Sequence, residues 1–411
     1  MSLFDRYKAW WRGWRGRAKP LPPAVDPAVA GEAARVAAGV PRQGAGDAAG
    51  VPEAAAPSPP RRAGRARGPR PIRLALQGGG SHGAFTWGVL EGLLRRDDLA
   101  IEAISGASAG ALNAAVLATG WAQGGRDGAL GALQRFWQDI GSAGAARLPL
   151  LPALPSGAMF DLSAMPGYEW ASRFLRTLSP YDYNPLNLNP LRDVLVRHVD
   201  PLAVREGPIR VFATATAVRS GEPRVFSGAA LGIDALLASA CLPFLFQAVE
   251  IDGEPYWDGG YSGNPSLHPL LDAGGDCDIV VVRINPSNRD GVPRRSLEIM
   301  DRISEITFNA SLIGELRMID HLNRLQRRIA GEGNVAAQCR VHVVADDVDL
   351  ATLPASSRLH VDPAFVARLR ALGQAAVAAF LQGQGDAIGR PGSAAADAAR
   401  AVEGEALPAV S

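Results

Sequence analysis

The chain has 411 residues, of which 47% are hydrophobic and 20% charged, and its formal net charge is +1. This composition is typical of a globular protein with one main domain and appendages. A charge so close to zero, without a Cys/His cluster of zinc-finger spacing, excludes nucleic-acid binding as the first interpretation, so we expect no nucleic-acid partner. No run approaches the about 20 apolar residues that a membrane-spanning helix needs.

Residues 1–20 form a basic, aromatic segment. Their aromatic side chains fall at helical spacing between basic residues: Phe4, Tyr7, Trp11 and Trp14. Such a segment suits the headgroup region of an anionic membrane, although an end that docks on its own domain is the alternative. Because the N-terminus has no apolar signal core, we expect a cytoplasmic protein with peripheral contact at the inner face of the cell membrane.

Composition divides the rest of the chain into further parts. Residues 21–70 are rich in Ala, Pro and Arg, and 386–411 in Ala and Gly, so both are predicted to be disordered. The main domain is predicted at 71–290. Near 148–189 it contains an apolar segment broken by prolines, which is either a cap over an apolar cleft or a packed insertion. A helical extension with a late strand is expected at 291–385.

Cysteine usage indicates a reduced protein. The three cysteines, Cys241, Cys277 and Cys339, are widely spaced and include no CxxC pair. We therefore expect a reducing compartment and buried, unreactive thiols.

The ordered elements begin with a short apolar run, PIRLAL, which predicts a strand that stops at three glycines. A helix-patterned stretch, AFTWGVLEGLLRR, is followed by a second strand, LAIEAISGAS, and a second helix, AGALNAAVLATGW. This alternation predicts a parallel sheet with right-handed crossovers. Later strands are predicted at PIRVFATATAV, EPRVFS, FQAVEI, PYWDGG, CDIVVVRINP and RVHVVAD, with a hairpin at Asp252–Gly253 and a helix over Pro363–Gln382. The predicted class is α/β, with a mainly parallel central sheet flanked by helices.

The first motif is the glycine loop GGGSHGAF, which follows the first strand. Glycines allow a tight turn that directs backbone N–H groups outward at a helix start, and this makes an anion site. Gly78, Gly80 and Gly83 match the GxGxxG pattern of dinucleotide binding, but the oxyanion of acyl transfer is an equal candidate. The next strand ends in Ser105 and small residues rather than the acid that holds a ribose, which disfavours a nucleotide.

The second motif is GASAG, in which Gly106 and Gly110 flank Ser108 between a predicted strand and a predicted helix. In a GxSxG elbow the serine occupies a sharp turn, and small neighbours permit the close approach of strand and helix. The helix N-terminus then favours the alkoxide form of the serine. Ser105, which precedes the turn, is expected to face packing neighbours in the strand.

The third motif is YWDGG, with Asp258 at a strand end before Gly259 and Gly260. A rigidly held carboxylate there could accept the serine proton, whereas capping of a turn is the alternative role of an Asp-Gly pair. A serine hydrolase needs a nucleophile, a base and oxyanion donors at one point. Because strand ends of a parallel sheet meet at one edge, the three motifs are expected to converge there.

In this order the motifs resemble those of the patatin-like phospholipases, over roughly residues 72–271. The resemblance implies a three-layer sandwich and a Ser-Asp dyad without histidine. Ser108 would be the nucleophile and Asp258 the proton acceptor. It further implies oxyanion donors at the amides of Gly79 and Gly80, in a loop shaped by Gly78 and Gly83, and a lipid or ester substrate with no cofactor or metal.

The chain departs from the family at His82, where many members carry Arg or Lys. A neutral imidazole would supply no fixed positive charge beside the oxyanion, so we interpret His82 as structural, with assistance only when protonated as the alternative.

Three other functions remain open from the sequence. A Ser-His-Asp esterase could use one of the histidines that follow Asp258: His268, His321, His342 or His360. A lipid-binding regulator could keep the fold without turnover. A nucleotide-binding protein could use the glycine loop for phosphate.

Overall fold

A computed structural model describes residues 68–146, 179–272, 277–289, 291–330 and 339–389. The expectations for 1–20, for most of 21–70, for 147–178 of the cap region and for the tail from 390 lie outside the described residues and stay predictions. The other predicted elements fall within the described ranges.

The centre of the fold is a mixed, mainly parallel sheet, as predicted. Its strands are β1 (Arg70–Leu76), β2 (Leu99–Ala107), β3 (Arg210–Ala217), β4 (Pro223–Ser227), β5 (Val249–Ile251), β6 (Glu254–Asp258), β7 (Cys277–Val282) and β8 (Cys339–Val344). The strand order is β5-β6-β3-β2-β1-β7-β8, and β4 pairs with β3 outside this path. The adjacent strands in the part β3-β2-β1-β7-β8 of this order are parallel to each other. The strands β4 and β6 run antiparallel to β3, and β5 runs antiparallel to β6.

Helices connect and cover these strands. They are α1 (Gly83–Leu94), α2 (Ala109–Ala146), α3 (Pro180–Tyr183), α4 (Pro190–His198), α5 (Pro201–Glu206), α6 (Ile233–Ser239), α7 (His268–Leu271), α8 (Ser296–Ala330) and α9 (Pro363–Gly383). α2 is two helical segments, because Gly124 and Gly125 between them have non-helical backbone angles. Short 3-10 turns include Gly80–His82, Gly259–Tyr261 and Ala355–Leu359.

The sheet has a hydrophobic core on each face, which makes the fold a three-layer sandwich. Successive side chains of a strand point to opposite faces. In β1, Leu74 and Leu76 therefore pack in the core that contains residues of α1, α2 and α9, whereas Ala75 packs in the second core with Leu312 and Leu316 of α8. This arrangement confirms the predicted fold class.

One sequence expectation concerning membranes needs correction. In the described part of the chain, α9 is long and apolar enough to span a membrane by length and composition. In the fold this helix packs against α1. A Cβ on Gly373 would lie 2.0 Å from the carbonyl oxygen of Phe85, so the two backbones are in direct contact. Core helices of globular proteins pass the same hydropathy test.

The cysteines are free, as expected, but two of them are neighbours. Cys277 of β7 and Cys339 of β8 are paired in register, and a hydrogen bond between the thiols lowers the pKa of Cys277. Cys339 is half-buried rather than buried. Burial raises the pKa of Cys241 to about 12, so that thiol is protonated at neutral pH and unreactive.

Candidate active site

Ser108 occupies the sharp turn between β2 and α2. Its φ of 51° lies in the left-handed region, which non-glycine residues adopt rarely and mainly at functional turns. The flanking glycines leave no room for a side chain. A Cβ on Gly106 would lie 2.5 Å from the Ala111 nitrogen, and one on Gly110 would lie 2.1 Å from the Leu76 carbonyl oxygen. The two glycines of GASAG are thus required by the close packing of this turn.

A second serine, which the sequence did not point to, holds the turn in place. The Ser108 amide donates a hydrogen bond of 2.9 Å to Ser239 Oγ, and Ser239 Oγ donates one of 2.6 Å to the Thr214 carbonyl. Ser105 lies apart from this network, fully buried, with its hydroxyl donating to the Ser266 carbonyl at 2.5 Å. Ser105 therefore packs in the strand, and Ser108 is the serine that the turn presents.

Asp258 ends β6, but it reaches the serine in a way that the sequence did not predict. We expected all three motifs at the carboxyl ends of parallel strands, whereas β6 runs antiparallel to β3. The strand is short, and its pairing with β3 is limited to the last three residues of β3, with Asp258 opposite Ala215. The C-terminal end of β6 therefore lies near the edge of the sheet at which β2 ends. Gly259 completes the approach, because a Cβ there would lie 2.0 Å from the Thr214 carbonyl oxygen.

The Asp258 carboxylate is fully buried, and one of its two oxygens accepts a hydrogen bond. Its Oδ1 accepts a hydrogen bond of 2.7 Å from the Gly260 amide, whereas Oδ2 has no partner among the described residues. Burial raises the pKa of Asp258 to about 6, although the Ser108 hydroxyl, the Gly260 amide and the charge of Arg358 act in the opposite direction. The Ser108 hydroxyl is thus close enough to affect the carboxyl without bonding to Oδ2. That oxygen is available to take a proton near neutral pH.

The glycine loop lies directly against the nucleophile. A Cβ on Gly78 would lie 2.7 Å from Ser108 Cβ. Both polar backbone atoms of Gly78 are already bonded, since its amide donates to Asn264 Oδ1 at 2.6 Å and its carbonyl accepts from Asn285 Nδ2 at 2.9 Å. These two asparagines anchor the loop. The amide of Gly78 is therefore not available to a ligand.

The next two amides are different. Neither Gly79 nor Gly80 donates a backbone hydrogen bond to another group in the described ranges. Gly80 has a φ of 60°, and a Cβ there would lie 2.2 Å from the Arg358 carbonyl oxygen. Gly83, at the start of α1, faces Ala109 of α2, where a Cβ would come within 2.7 Å of the alanine Cβ. The loop thus leaves two unbonded amides directly after Gly78, the glycine that lies against Ser108, and unbonded amides are the kind of donor that an oxyanion needs.

His82 is a buried, neutral residue of this loop. Its Nε2 lies 2.8 Å from Ser357 Oγ, and the Ser357 hydroxyl donates its proton to the Pro354 carbonyl at 2.6 Å. The serine therefore accepts, and His82 donates from Nε2. Burial, with the nearby charges of Arg358 and Arg289, lowers the pKa of His82 to about 3. The imidazole is uncharged at neutral pH, in keeping with a structural role.

One of the histidines that could complete a triad has another partner. His342 is buried within the sheet and bonds to Asp278 Oδ1 at 2.8 Å. Among the described residues, neither Ser108 nor Asp258 has a hydrogen bond with a histidine side chain. The Ser108 hydroxyl, in contrast, acts on the Asp258 carboxyl and lowers its pKa against the larger effect of burial.

A family model described as patatin-like phospholipase matches residues 74–271. The chain carries a patatin-like phospholipase domain. This match covers the glycine loop, the serine turn and Asp258, and it makes the domain a lipid hydrolase in kind. The segment that contributes Arg358 and Ser357 lies beyond the matched residues.

The patatin-like domain also has distant similarity to solved structures. VipD from Legionella pneumophila is 17% identical, with a TM-score of 0.33, and the match covers 76% of this chain and 67% of that one. The type III effector protein ExoU is 18% identical, with a TM-score of 0.29 and coverage of 77% and 53%. ExoU in its complex with SpcU, from Pseudomonas aeruginosa, is 17% identical, with a TM-score of 0.30 and coverage of 77% and 52%. The alignment therefore spans about half the length of ExoU. No curated protein sequence gives a significant match.

Proposed function

We propose that the patatin-like domain is a serine lipid acyl hydrolase of the phospholipase A or lysophospholipase type. Ser108 is the nucleophile, Asp258 is its proton acceptor, and the amides of Gly79 and Gly80 bind the oxyanion. The observation that carries this proposal is the buried Asp258 carboxylate: its Oδ2 has no partner among the described residues, and the Ser108 hydroxyl lowers the pKa of the carboxyl against the larger effect of burial. A base whose pKa lies near the working pH is the most effective proton acceptor.

In the first half-reaction, Ser108 Oγ forms a bond to the ester carbonyl carbon while its proton passes to Asp258 Oδ2. The carbonyl oxygen becomes an oxyanion between the Gly79 and Gly80 amides. When this intermediate collapses, the bond to the alcohol oxygen breaks, and that oxygen takes the proton from Asp258. The products are the free alcohol and an acyl-serine.

In the second half-reaction, a water molecule takes the place of the alcohol. Asp258 removes its proton as the water oxygen attacks the acyl carbon, and the same two amides bind the new oxyanion. Collapse releases the fatty acid and returns the proton to Ser108. One carboxylate thus acts as base and then as acid in each half-reaction, without a histidine.

Labelling with a fluorophosphonate ester tests the nucleophile, because the reagent forms a bond to an activated serine and releases fluoride. We expect the full chain to be labelled, Ser108→Ala to lose the label, and Asp258→Asn to react more slowly. Ser105→Ala is the matched control and should be labelled as the wild type is, because Ser105 lies apart from the Ser108 network. A panel of phospholipids, lysophospholipids and acylglycerols should show the same dependence on Ser108.

Absence of both labelling and hydrolysis would contradict the enzyme proposal and favour a lipid-binding regulator. A thermal shift produced by NAD or ATP would instead favour a nucleotide at the glycine loop. The structure offers Gly79 and Gly80 as unbonded amides, and a phosphate could use them equally.

Replacing the later histidines by alanine tests the dyad against a Ser-His-Asp triad. We expect His268→Ala, His321→Ala and His360→Ala to retain hydrolysis within about twofold, because a proton acceptor for Ser108 is already present. His342→Ala is expected to lower thermal stability through its buried bond with Asp278. A loss of about 10³-fold in kcat at one of the four, with the fold intact, would show that a histidine is the base.

A further inference from the structure

The segment from Pro354 to His360, outside the family match, packs directly on the glycine loop. The Ser81 hydroxyl donates to the Ser357 carbonyl at 2.8 Å, and His82 Nε2 bonds to Ser357 Oγ at 2.8 Å. The Arg358 carbonyl occupies the space that a side chain on Gly80 would need. The loop that lies against Ser108 is therefore shaped on one side by the C-terminal part of the chain.

This segment places Arg358, which has no carboxylate partner among the described residues, beside the glycine loop. Its guanidinium lies over the Phe308 ring at 5.6 Å from the centroid, and its Nη1 donates a long bond of 3.4 Å to Ser304 Oγ. Its Nε is buried without a partner, and no ion pair joins it to an acidic group in the described ranges. The nearby Glu305 is already bound by Arg289 and Arg302. The residue as a whole is half-buried, and a buried polar atom without a partner, such as its Nε, costs free energy.

The same ring connects Arg358 with the catalytic carboxylate. Phe308 packs on Gly260, where a Cβ would lie 2.9 Å from the ring, and the Gly260 amide donates to Asp258 Oδ1. The charge of Arg358 lowers the pKa of Asp258, against the larger effect of burial. An opposite charge in a poorly hydrated site favours the ionised carboxyl.

The other titratable groups that face Asp258 carry no charge at neutral pH. Burial raises the pKa of Cys241 and of Tyr261 to about 12, so both stay protonated. Around Arg358 itself, His82 is neutral, and Glu305 is paired with both Arg289 and Arg302. Asp301 also acts on Arg358 through its charge. Of the titratable groups that act on Asp258, Arg358 is thus the one that favours its ionised form through a full charge.

We infer that Arg358 is a positioning residue for the hydrolysis: its unpaired guanidinium keeps Asp258 in the carboxylate form that takes the Ser108 proton. This inference rests on the proposed function. It extends the working active site beyond residue 271, where the family match ends, to the segment at 354–360. A domain cut at the family boundary would lack this cation.

The acidic limb of the pH profile tests this role. In Arg358→Met, which keeps an apolar side chain over Phe308, the limb of kcat/KM should move to higher pH because the carboxylate has lost its stabilising charge. We expect a loss on the order of tenfold near pH 6 that disappears above pH 8. Arg358→Lys keeps the charge and should retain the wild-type limb. Arg205→Met, at an exposed arginine paired with Glu206, is the control and should change nothing.

A second variant tests the charge without changing Arg358. Ser304→Asp would place a carboxylate beside the guanidinium and pair with it, so the limb should again move to higher pH. Ser304→Asn, which adds bulk without charge, should not move it. Thermal melting shows whether Arg358→Met folds. If it does not, the two Ser304 variants still test the effect of the charge.

Two results would overturn the inference. One is a wild-type pH profile in both Arg358→Met and Ser304→Asp. The other is a loss of kcat/KM in Arg358→Met that is equal at all pH values and is also seen in Arg358→Lys. A purely structural role of Arg358 predicts that result. Hydrolysis that survives in Ser108→Ala would instead contradict the proposed function, and the role of Arg358 in it would fall as well.

Discussion

Asp258→Asn is expected to lose about 10³-fold in kcat and yet to unfold at a higher temperature than the wild type at pH 8. The loss of activity follows because an amide cannot take the Ser108 proton. The gain in stability follows from burial. The pKa of Asp258 is raised from 3.8 to about 6 in the folded protein, so the folded state binds the proton more tightly than the unfolded state does.

The stability of the wild type should therefore fall as the pH rises from about 4 to about 6, and the full penalty remains above pH 6. A difference of two pH units corresponds to roughly 3 kcal/mol, an upper estimate that relaxation would reduce. Asparagine is never ionised and avoids the penalty. Its carbonyl can still accept from the Gly260 amide, and no bond is lost at Oδ2.

Calorimetric melting at pH 4.5 and pH 8 measures this effect alongside hydrolysis. The difference between the variant and the wild type should be large at pH 8 and small at pH 4.5. Asp127→Asn, at an exposed aspartate of α2, is the control and should alter neither activity nor the pH dependence of melting. A variant that melts below the wild type at pH 8 would contradict the buried, unpartnered carboxylate.

Gly80→Ala should lower kcat by about 10²- to 10³-fold with little change in KM. The added Cβ would lie 2.2 Å from the Arg358 carbonyl oxygen, and the residue would have to keep a φ of 60°. The loop must therefore move, and the two amides that we propose as oxyanion donors move with it. Because the oxyanion exists only in the reaction, the change should affect turnover more than substrate binding.

Gly314→Ala is the matched control, since no heavy atom lies within 4 Å of a Cβ placed there in α8. Its activity should be unchanged, and it should gain up to about 1 kcal/mol of stability from helix propensity. Steady-state kinetics with one soluble ester measures both variants. Wild-type kcat in Gly80→Ala would show that the loop does not bind the oxyanion.

The features that could be predicted from the sequence are those with local signals. Apolar runs such as those of β1 and β7 mark buried strands, because both faces of a parallel sheet are covered. Asp252 and Gly253, with φ values of 52° and 77°, form the tip of the predicted hairpin between β5 and β6. Ser108 was marked by its small neighbours.

The features that could not be predicted depend on contacts between distant parts of the chain. The hairpin signal says nothing about which strand β6 pairs with, so its antiparallel position beside β3 was missed. Asn264 stands six residues after Asp258 in an ordinary turn sequence, and only the fold brings its side chain to Gly78. Arg358 lies in the stretch PASSRL, whose residue types give no sign that it acts on Asp258, the proposed proton acceptor.

The position of β1 shows that the family match and the folding unit have different limits. β1 lies between β2 and β7, yet the matched residues begin within β1 and end before β7. In a fragment cut to the match, the backbone of β1 would face water on one side and offer an open edge to other chains. The matched span is thus shorter than the sheet, because the two strands that cover this side of β1, β7 and β8, lie beyond it.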